Sequence, residues 1–314
     1  MDRKLLGIEI GGTKLQVAVS DLSGVVKKQL RYNIHAAAGA AAIRAQLEKS
    51  IAEVGIEDIA AIGVGFGGPM NWRTGIIETS HQVGGWAGFD IAQWLKRFAH
   101  APVAVDNDAN VAALAEAVHG SGKNYDPVFY MTIGSGIGGG VVTGGKIYHG
   151  TAPGEVEVGH LRLSKNGDTV ESACSGWALN KKMRAHIETH PQSVLAQLAV
   201  DGAIPEAALL VPALEKEDSA AQQIVDCLAD DLAFALSHVV HLFHPHVIIL
   251  GGGVSFLGER LRQPIATRLP AYVMNAFLPA PHVQIASLGE NVVPIGALEL
   301  AKQALQSHQK NPML

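Results

Sequence analysis

The sequence predicts an α/β protein of about two domains, with loops that hold a ligand. The chain has 314 residues, and about 150 residues per domain is usual. Glycine contributes 35 residues, about 11% against a usual figure of about 7%. Glycine-rich turns follow apolar strands, and alanine-rich segments with helical spacing lie between them. This alternation is typical of α/β architecture.

The composition excludes several classes of protein. Hydrophobic residues make up 48% and charged residues 17%, which excludes a disordered or fibrous chain. The net charge of −5 argues against a nucleic-acid partner. An apolar run long enough to span a membrane is missing, so we expect no membrane partner. Cys174 and Cys227 are too few for a disulfide framework and fit a reducing, cytoplasmic compartment.

The first half of the chain alternates short apolar runs with turns. Leu5 to Ile10 is typical of a buried strand, and Ile43, Leu47 and Ile51 recur at helical spacing. The predicted strands cover residues 5–10, 15–19, 25–32, 59–66 and 102–105, and the predicted helices 36–53, 91–98 and 110–118.

The opening pattern of strand, glycine turn, strand, tight turn and strand occurs a second time. Its second copy has predicted strands over 128–133, 140–143 and 146–149. The copies lie about 120 residues apart, too far for a solenoid repeat, so we expect an internal duplication. Predicted helices over 176–186, 219–243 and 294–305 and a strand over 247–250 follow.

Three glycine clusters stand at the ends of apolar strands. They begin at Gly11, Gly134 and Gly251. Glycine lets backbone N–H groups approach an anion closely, and the hydroxyls of Thr13 and Ser135 add donors. An ordinary tight turn explains any single cluster equally well. Three of them in one chain favour phosphate binding.

The common nucleotide-binding motifs do not fit these turns. The cluster from Gly134 to Gly139 has the dinucleotide-binding spacing, but that fold requires a helix next, and strand residues follow here. The cluster from Gly11 to Lys14 lacks the P-loop spacing. Two strand–turn–strand units that each hold part of a polyphosphate are the remaining arrangement.

Asp106, Asn107 and Asp108 follow a strand and open a helix. Asp and Asn are good N-cap residues, so a purely structural role is one interpretation. The other is a general base, which would accept a hydroxyl proton and would be kept ionised by the helix macrodipole. Asn107 has a donor and an acceptor that suit a sugar hydroxyl.

Two further polar clusters have open interpretations. Residues 154–160 contain two acids and a histidine, which are either the solvent face of a strand or a hydrogen-bonding wall for a polyol. Four histidines between 238 and 246 resemble metal ligands, but their segment is apolar and Pro245 ends the helix. We therefore interpret them as structural histidines rather than a metal site.

In this order, the motifs resemble the ROK family (repressors, open reading frames and sugar kinases) of the actin- and hexokinase-like superfamily. The motifs are residues 9–14 (EIGGTK), 65–71 (GFGGPMN), 105–110 (VDNDAN), 133–140 (IGSGIGGG), 157–160 (EVGH) and 250–255 (LGGGVS). The resemblance implies a two-domain actin-like ATPase (ribonuclease H-like) fold with a duplicated βββαβαβα core and a cleft. It implies domains of residues 1–118 plus 294–314 and of residues 119–293, and often a homodimer.

The resemblance also implies ATP-dependent phosphorylation of a hexose, most simply at the 6-hydroxyl of glucose or a related aldohexose. Asp108 matches the general base. The positions that match sugar contacts are Gly68, Asn107, Asp108, Glu157, His160 and Glu171. Those that match nucleotide contacts are Gly11, Gly12, Thr13, Lys14, Gly134, Ser135 and Gly136 at the phosphates, with Gly252 and Gly253 at the adenosine.

The sequence departs from the family at three places. Glu9 stands where members commonly have the Asp expected near Mg²⁺, so we expect Glu9 near that ion. The cysteine stretch of the family's zinc site is missing after His160, so we predict no structural zinc and expect packing to hold this loop. His81 or Gln82 stands where members often have an Asn, and we expect this difference to affect sugar preference.

Alternatives to a glucokinase-like enzyme follow from the same resemblance. One is a non-catalytic sugar sensor, but family repressors carry an N-terminal DNA-binding domain, and here a strand is predicted from Leu5. A kinase for an N-acetylhexosamine, allose or fructose is another. The loop from Glu157 to His160 argues against other superfamily members, such as acetate kinases or chaperone-like ATPases.

Overall fold

The computed structural model describes residues 3–55, 57–152, 156–199 and 206–310. Its strands are β1 (Lys4–Ile10), β2 (Lys14–Asp21), β3 (Val26–Asn33), β4 (Ile59–Phe66), β5 (Met70–Asn71), β6 (Ile76–Ile77), β7 (Val103–Asn107), β8 (Val128–Ile133), β9 (Ile137–Thr143), β10 (Lys146–Ile147), β11 (Val247–Gly251) and β12 (His282–Ile285). Its α-helices are α1 (Gly39–Val54), α2 (Ile91–Leu95), α3 (Asp108–His119), α4 (Val170–Cys174), α5 (Gly176–Thr189), α6 (Val194–Leu198), α7 (Leu210–Glu215), α8 (Ser219–Phe243), α9 (Glu259–Tyr272) and α10 (Val292–Lys310).

The chain forms two compact units. Unit 1 comprises Met1–Lys123, Gly140–Glu155 and Leu288–Leu314, and unit 2 comprises Asn124–Gly139 and Val156–Ser287. Gly140 and strand β10 belong to unit 1 and pack on α3. A Cβ atom on Gly140 would stand only 2.8 Å from the Cβ of Ala113. The domain limits predicted from the sequence, which assign Gly140–Glu155 to residues 119–293, stay a prediction.

Unit 1 is built on a five-stranded sheet with the order β3-β2-β1-β4-β7. The first three strands are antiparallel neighbours, and β4 runs parallel to both β1 and β7. Helix α10 covers one face so closely that a Cβ on Gly63 would stand 1.9 Å from the carbonyl oxygen of Ala297. On the other face, Ile43, Leu47 and Ile51 of α1 join the core, as their spacing predicts.

A second five-stranded sheet has the order β10-β9-β8-β11-β12. Strand β11 runs parallel to β8 and β12, and the residues of β9 are divided between the two units. The strands therefore follow the same order as in the first sheet: the first strand of each copy is central, the second lies next to it, and the third lies at the edge. This repetition confirms the predicted duplicated core.

The helices of unit 2 supply its core. Helix α8 packs against α4 and α9 and buries an apolar stripe that includes Val225, Leu228, Leu232 and Leu236. Within the part of the chain that the structure describes, no helix combines the length and apolar character that a membrane crossing requires.

Candidate active site

The carboxyl end of β7 leads directly into α3, and this junction carries the predicted base. Asn107 is the N-cap of α3, because its side-chain oxygen accepts a hydrogen bond of 2.8 Å from the Ala109 N–H. Its side-chain amide donates to the Gly68 carbonyl at 3.3 Å. Asp108 is the first helical residue, so the capping role falls to Asn107 and leaves the Asp108 carboxyl available for chemistry.

The Asp108 carboxyl lies beside the first glycine turn. A Cβ built on Gly67 would stand 3.2 Å from Asp108 Oδ2 and 3.3 Å from the Cα of Gly11, so the carboxyl and the turn both flank Gly67. Burial, and then the nearby Glu9 carboxylate, raise the pKa of Asp108 to about 7. The macrodipole argument predicts an ionised carboxylate, but hydrogen bonds from the helix N-terminus are outweighed by this burial.

Asp106, the residue before Asn107, makes several hydrogen bonds at the same junction. It is buried, and its Oδ1 accepts hydrogen bonds from the Asn107 N–H at 2.8 Å and the Asn110 side chain at 2.9 Å. Its Oδ2 lies 2.6 Å from Nε2 of His149. The sequence places Asp106 in a cluster with two interpretations, a helix cap or a general base. It gives no signal for His149, because the contact joins residues far apart in the chain.

Glu9 and Lys14 give the first glycine turn its charge. Lys14 Nζ lies 3.2 Å from Oε1 of Glu9, and Gln16 donates to Oε2 at 2.6 Å. Glu9 is buried, and burial raises its pKa despite the opposing effect of Lys14. The turn itself is closed by a hydrogen bond of 2.9 Å from the Gly11 N–H to the Lys14 carbonyl.

The donor set of unit 1 fits a magnesium ion that is also bound by phosphates. Mg²⁺ usually takes one or two protein carboxylates together with substrate phosphate oxygens and water. Glu9 supplies a buried carboxylate beside the turn, and burial raises its pKa by disfavouring the ionised form, which a bound cation would stabilise. Within residues 3–55, 57–152, 156–199 and 206–310, no group of three His, Cys, Asp or Glu side chains could hold a metal by itself.

The histidines near the end of α8 make other contacts. The Nε2 of His241 accepts a hydrogen bond from the Met274 N–H at 3.1 Å. His244 ends the helix in the left-handed conformation, with φ of 45°, and stacks on Phe277 with ring centres 4.1 Å apart. These contacts are structural ones.

Unit 2 contains the second glycine turn. The Gly134 N–H donates to the Gly136 carbonyl at 2.9 Å, and the Gly176 N–H donates to the Gly134 carbonyl at 2.7 Å. Glu171, predicted to contact sugar, lies against this turn, because its Oε2 accepts a hydrogen bond of 2.8 Å from the Ile137 N–H. Sequence reasoning gave no signal for this contact.

The remaining predicted residues of unit 2 lie on short turns. Glu157 precedes a single 3-10 turn that contains His160, and their side chains are 4.0 Å apart at Oε2 and Nε2. His160 is 71% exposed. Gly252 and Gly253 follow β11 and begin another 3-10 turn. Gly154 and Glu155, the start of the polar cluster at 154–160, lie outside the described residues.

Each unit thus holds its own share of the predicted site. Unit 1 contains Glu9, Gly11, Gly12, Thr13, Lys14, Gly68, Asn107 and Asp108. Unit 2 contains Gly134, Ser135, Gly136, Glu157, His160, Glu171, Gly252 and Gly253. The binding and catalytic roles assigned to these residues stay predictions.

Known proteins resemble this chain along nearly its whole length. Glucokinase from Thermotoga maritima is 28% identical over 96% of this chain and 98% of its own. A putative fructokinase from Bacillus subtilis is 30% identical over 96% of both chains. The crystal structure of a ROK family glucokinase from Streptomyces griseus, in complex with glucose and AMPPNP, is 28% identical, with a TM-score of 0.82 over 96% of this chain and 99% of that one.

A family profile agrees with these individual matches. Residues 5–304 match the ROK family, which covers every motif that carries the resemblance in the sequence. The likeness to a ROK glucokinase structure also confirms the predicted actin-like ATPase fold. The chain therefore belongs to the ROK family.

Proposed function

We propose that this chain is a sugar kinase that transfers the γ-phosphoryl group of ATP to the 6-hydroxyl of glucose or a related aldohexose. The glucokinase relatives and the glucose–AMPPNP complex of the Streptomyces griseus enzyme support ATP-dependent hexose phosphorylation. The single observation that carries the proposal is the Asp108 carboxyl beside the Gly11 turn, with its pKa at about 7. A base with a pKa near the working pH is well suited to proton transfer.

The residues of unit 1 divide the chemistry among them. Asp108 accepts the proton of the hydroxyl as its oxygen attacks phosphorus. Asn107 and the Gly68 carbonyl, which are already hydrogen-bonded to each other, orient the sugar. Backbone N–H groups from Gly11 to Thr13 and the Lys14 ammonium stabilise negative charge on the phosphoryl oxygens.

The residues of unit 2 bind the rest of the substrates. We assign Gly134, Ser135 and Gly136 to the phosphates, Gly252 and Gly253 to the adenosine, and Glu157, His160 and Glu171 to sugar hydroxyls, as the family resemblance implies. Glu9 would hold Mg²⁺, which supplies charge neutralisation at the phosphate oxygens when bound. The Glu9 side chain is one methylene longer than the Asp common in the family. Its carboxylate therefore extends further from the backbone and carries the same charge.

Two other features of the proposal concern the cell and the assembly. We propose a cytoplasmic location, which the two free cysteines, buried Cys174 and exposed Cys227, support. We also propose a homodimer, on the family resemblance alone.

A coupled assay of ADP release across a sugar panel tests the function. The panel contains glucose, an N-acetylhexosamine, fructose and allose, each with ATP and with polyphosphate as the alternative donor. We expect turnover with ATP and the highest kcat/KM for glucose. If calorimetry detects sugar binding but the assay detects no turnover, the chain is a sensor instead. The highest kcat/KM for another sugar would keep the kinase and correct the substrate.

A further inference from the structure

His149 is clamped between a buried carboxylate and an aromatic ring in unit 1. Its Nε2 lies 2.6 Å from Oδ2 of Asp106, and its ring stacks on Trp72 with centres 4.0 Å apart and planes 17° apart. The side chain is 18% exposed. Two independent contacts on two sides of the ring therefore fix its position and orientation.

The contact with Trp72 is specific to the face of the indole. The Nε1 of Trp72 is buried without a hydrogen-bond partner in the described residues, which is a costly arrangement. The guanidinium of Arg73 lies 4.9 Å from the centre of the ring. His149 and Arg73 both contact the Trp72 ring, whereas its N–H has no partner in the described residues. Ring contacts therefore hold Trp72 against His149.

Asp106 connects His149 to the start of α3. One oxygen of this carboxylate holds the Asn107 N–H and the Asn110 side chain, and the other meets His149. Because contacts hold both oxygens of this carboxylate, its rotation is restrained. The backbone N–H of Asn107, which donates to it, is restrained in turn. Asn107 in turn caps the helix on which Asp108 is the first residue. The chain of contacts runs from His149 to the backbone that presents the proposed base.

We propose that His149 is a positioning residue for phosphoryl transfer: it locks the Asp106 carboxylate and thereby fixes the orientation of Asn107 and Asp108. This inference rests on the proposed function.

The first test compares two substitutions of His149 in the full-length chain. We expect His149→Ala to lower kcat for the best sugar by between about 10-fold and 10²-fold, the range for a small misplacement of catalytic groups, with the KM for ATP unchanged. His149→Gln keeps a donor for Asp106 and should recover most of kcat. The exposed His308→Ala on α10 is the matched histidine control. Equal kcat for wild type, His149→Ala and His149→Gln would overturn the proposal.

A double-mutant cycle shows whether Asp106 carries the effect. We expect Asp106→Asn and His149→Ala each to lower kcat, and the double variant to be no slower than the slower single variant, because both act on one contact. If the fold-loss of kcat in the double variant equals the product of the two single losses, His149 does not act through Asp106. A loss of kcat in His149→Gln equal to that in His149→Ala, at an unchanged melting temperature, would also contradict the proposal.

Hydrogen–deuterium exchange gives a readout that needs no turnover. Amides at the start of α3 should exchange faster in His149→Ala than in wild type and at the wild-type rate in His149→Gln and His308→Ala. Unchanged exchange there in His149→Ala would overturn the inference. Absence of wild-type turnover would refute the proposed function and leave this structural test intact, so the two failures are distinguishable.

Discussion

The two glycine turns share one backbone design and differ in the side chains around them. Each follows the central strand of its sheet, and each is closed by a backbone hydrogen bond of 2.9 Å, from Gly11 to Lys14 in unit 1 and from Gly134 to Gly136 in unit 2. The first turn stands beside charged groups, namely Glu9, Lys14 and Asp108. The second is held by the Gly176 amide and by Glu171, which binds the Ile137 N–H.

This difference indicates which features of a duplicated fold come from the duplication and which are specific to one copy. Duplication repeats the strand order and the turn, and with them a surface of N–H groups suited to an anion. The charged groups at the first turn are side chains, which the repeated backbone pattern does not specify. We therefore expect changes at the first turn to affect kcat and its dependence on pH, and changes at the second to affect the binding of ATP.

Removal of the base should have the largest effect. Asp108→Ala is expected to lower kcat by about 10²–10⁴-fold, the usual contribution of a general base, with little change in the KM for ATP. The coupled ADP-release assay measures both values with the best sugar. An Asp108→Ala enzyme with the wild-type rate would remove Asp108 from the mechanism and with it the special role of the first turn.

The same carboxyl should reduce stability at high pH. The pKa of Asp108 is raised to about 7 in the folded chain from 3.8, so folding opposes its ionised form. The resulting cost is absent below about pH 4 and complete above about pH 7. Asp108→Asn should therefore raise the free energy of unfolding at pH 8, by at most about 4 kcal/mol, and leave it nearly unchanged at pH 4.

Chemical denaturation at the two pH values measures this difference. Glu48→Gln, an exposed position on α1, is the matched surface control. A gain for Asp108→Asn that is equal at both pH values would show that the ionised carboxyl is not the cause.

Much of the fold follows from the sequence because local patterns specify it. The predicted strand over 59–66 and the predicted helix over 219–243 have the bounds observed for β4 and α8. The sequence does not predict helix α9, because Pro264 and Pro270 lie inside it and proline usually ends a helix. There, tertiary packing against α8 outweighs the local signal.

The site is less accessible to sequence reasoning. Gly11, Gly134 and Asp108 stand in recognisable local motifs. The pairing of Asp106 with His149, and of Glu171 with Ile137, depends on which distant segments the fold brings together. The raised pKa of Asp108 depends on burial. The position of Asp108 at a helix N-terminus, which the sequence does indicate, does not show how deeply the carboxyl is buried.

Paired glycine substitutions compare the turns directly. A Cβ on Gly136 would stand 2.5 Å from Oε2 of Glu171, whereas one on Gly12 would meet the end of the Gln82 side chain. Gln82 is exposed and can move, while Glu171 is hydrogen-bonded to the turn. Gly136→Ala should therefore raise the KM for ATP by about 10-fold, as expected for a disturbed, partly buried hydrogen bond to a carboxylate, and Gly12→Ala should raise it less. The reverse order would contradict our account of the second turn.

The smallest expected effect is a shift in the pH profile. Glu9 raises the pKa of Asp108 by charge repulsion, so Glu9→Gln should lower that pKa while nearly preserving side-chain size. Because the base must be deprotonated, kcat falls on the acid side of that pKa. The acid limb of the profile should move to lower pH by up to about 1 unit. The midpoint separates this effect from a lower maximal rate, which loss of a magnesium ligand would cause.

Glu171→Gln is the matched substitution at the second turn. It removes one carboxylate charge there, and Glu171 is not among the groups that perturb Asp108. Its acid limb should therefore keep the wild-type midpoint. A midpoint that moves equally in both variants would mean that charge at both turns acts on the base, and the proposed division between a reactive turn and a binding turn would fail.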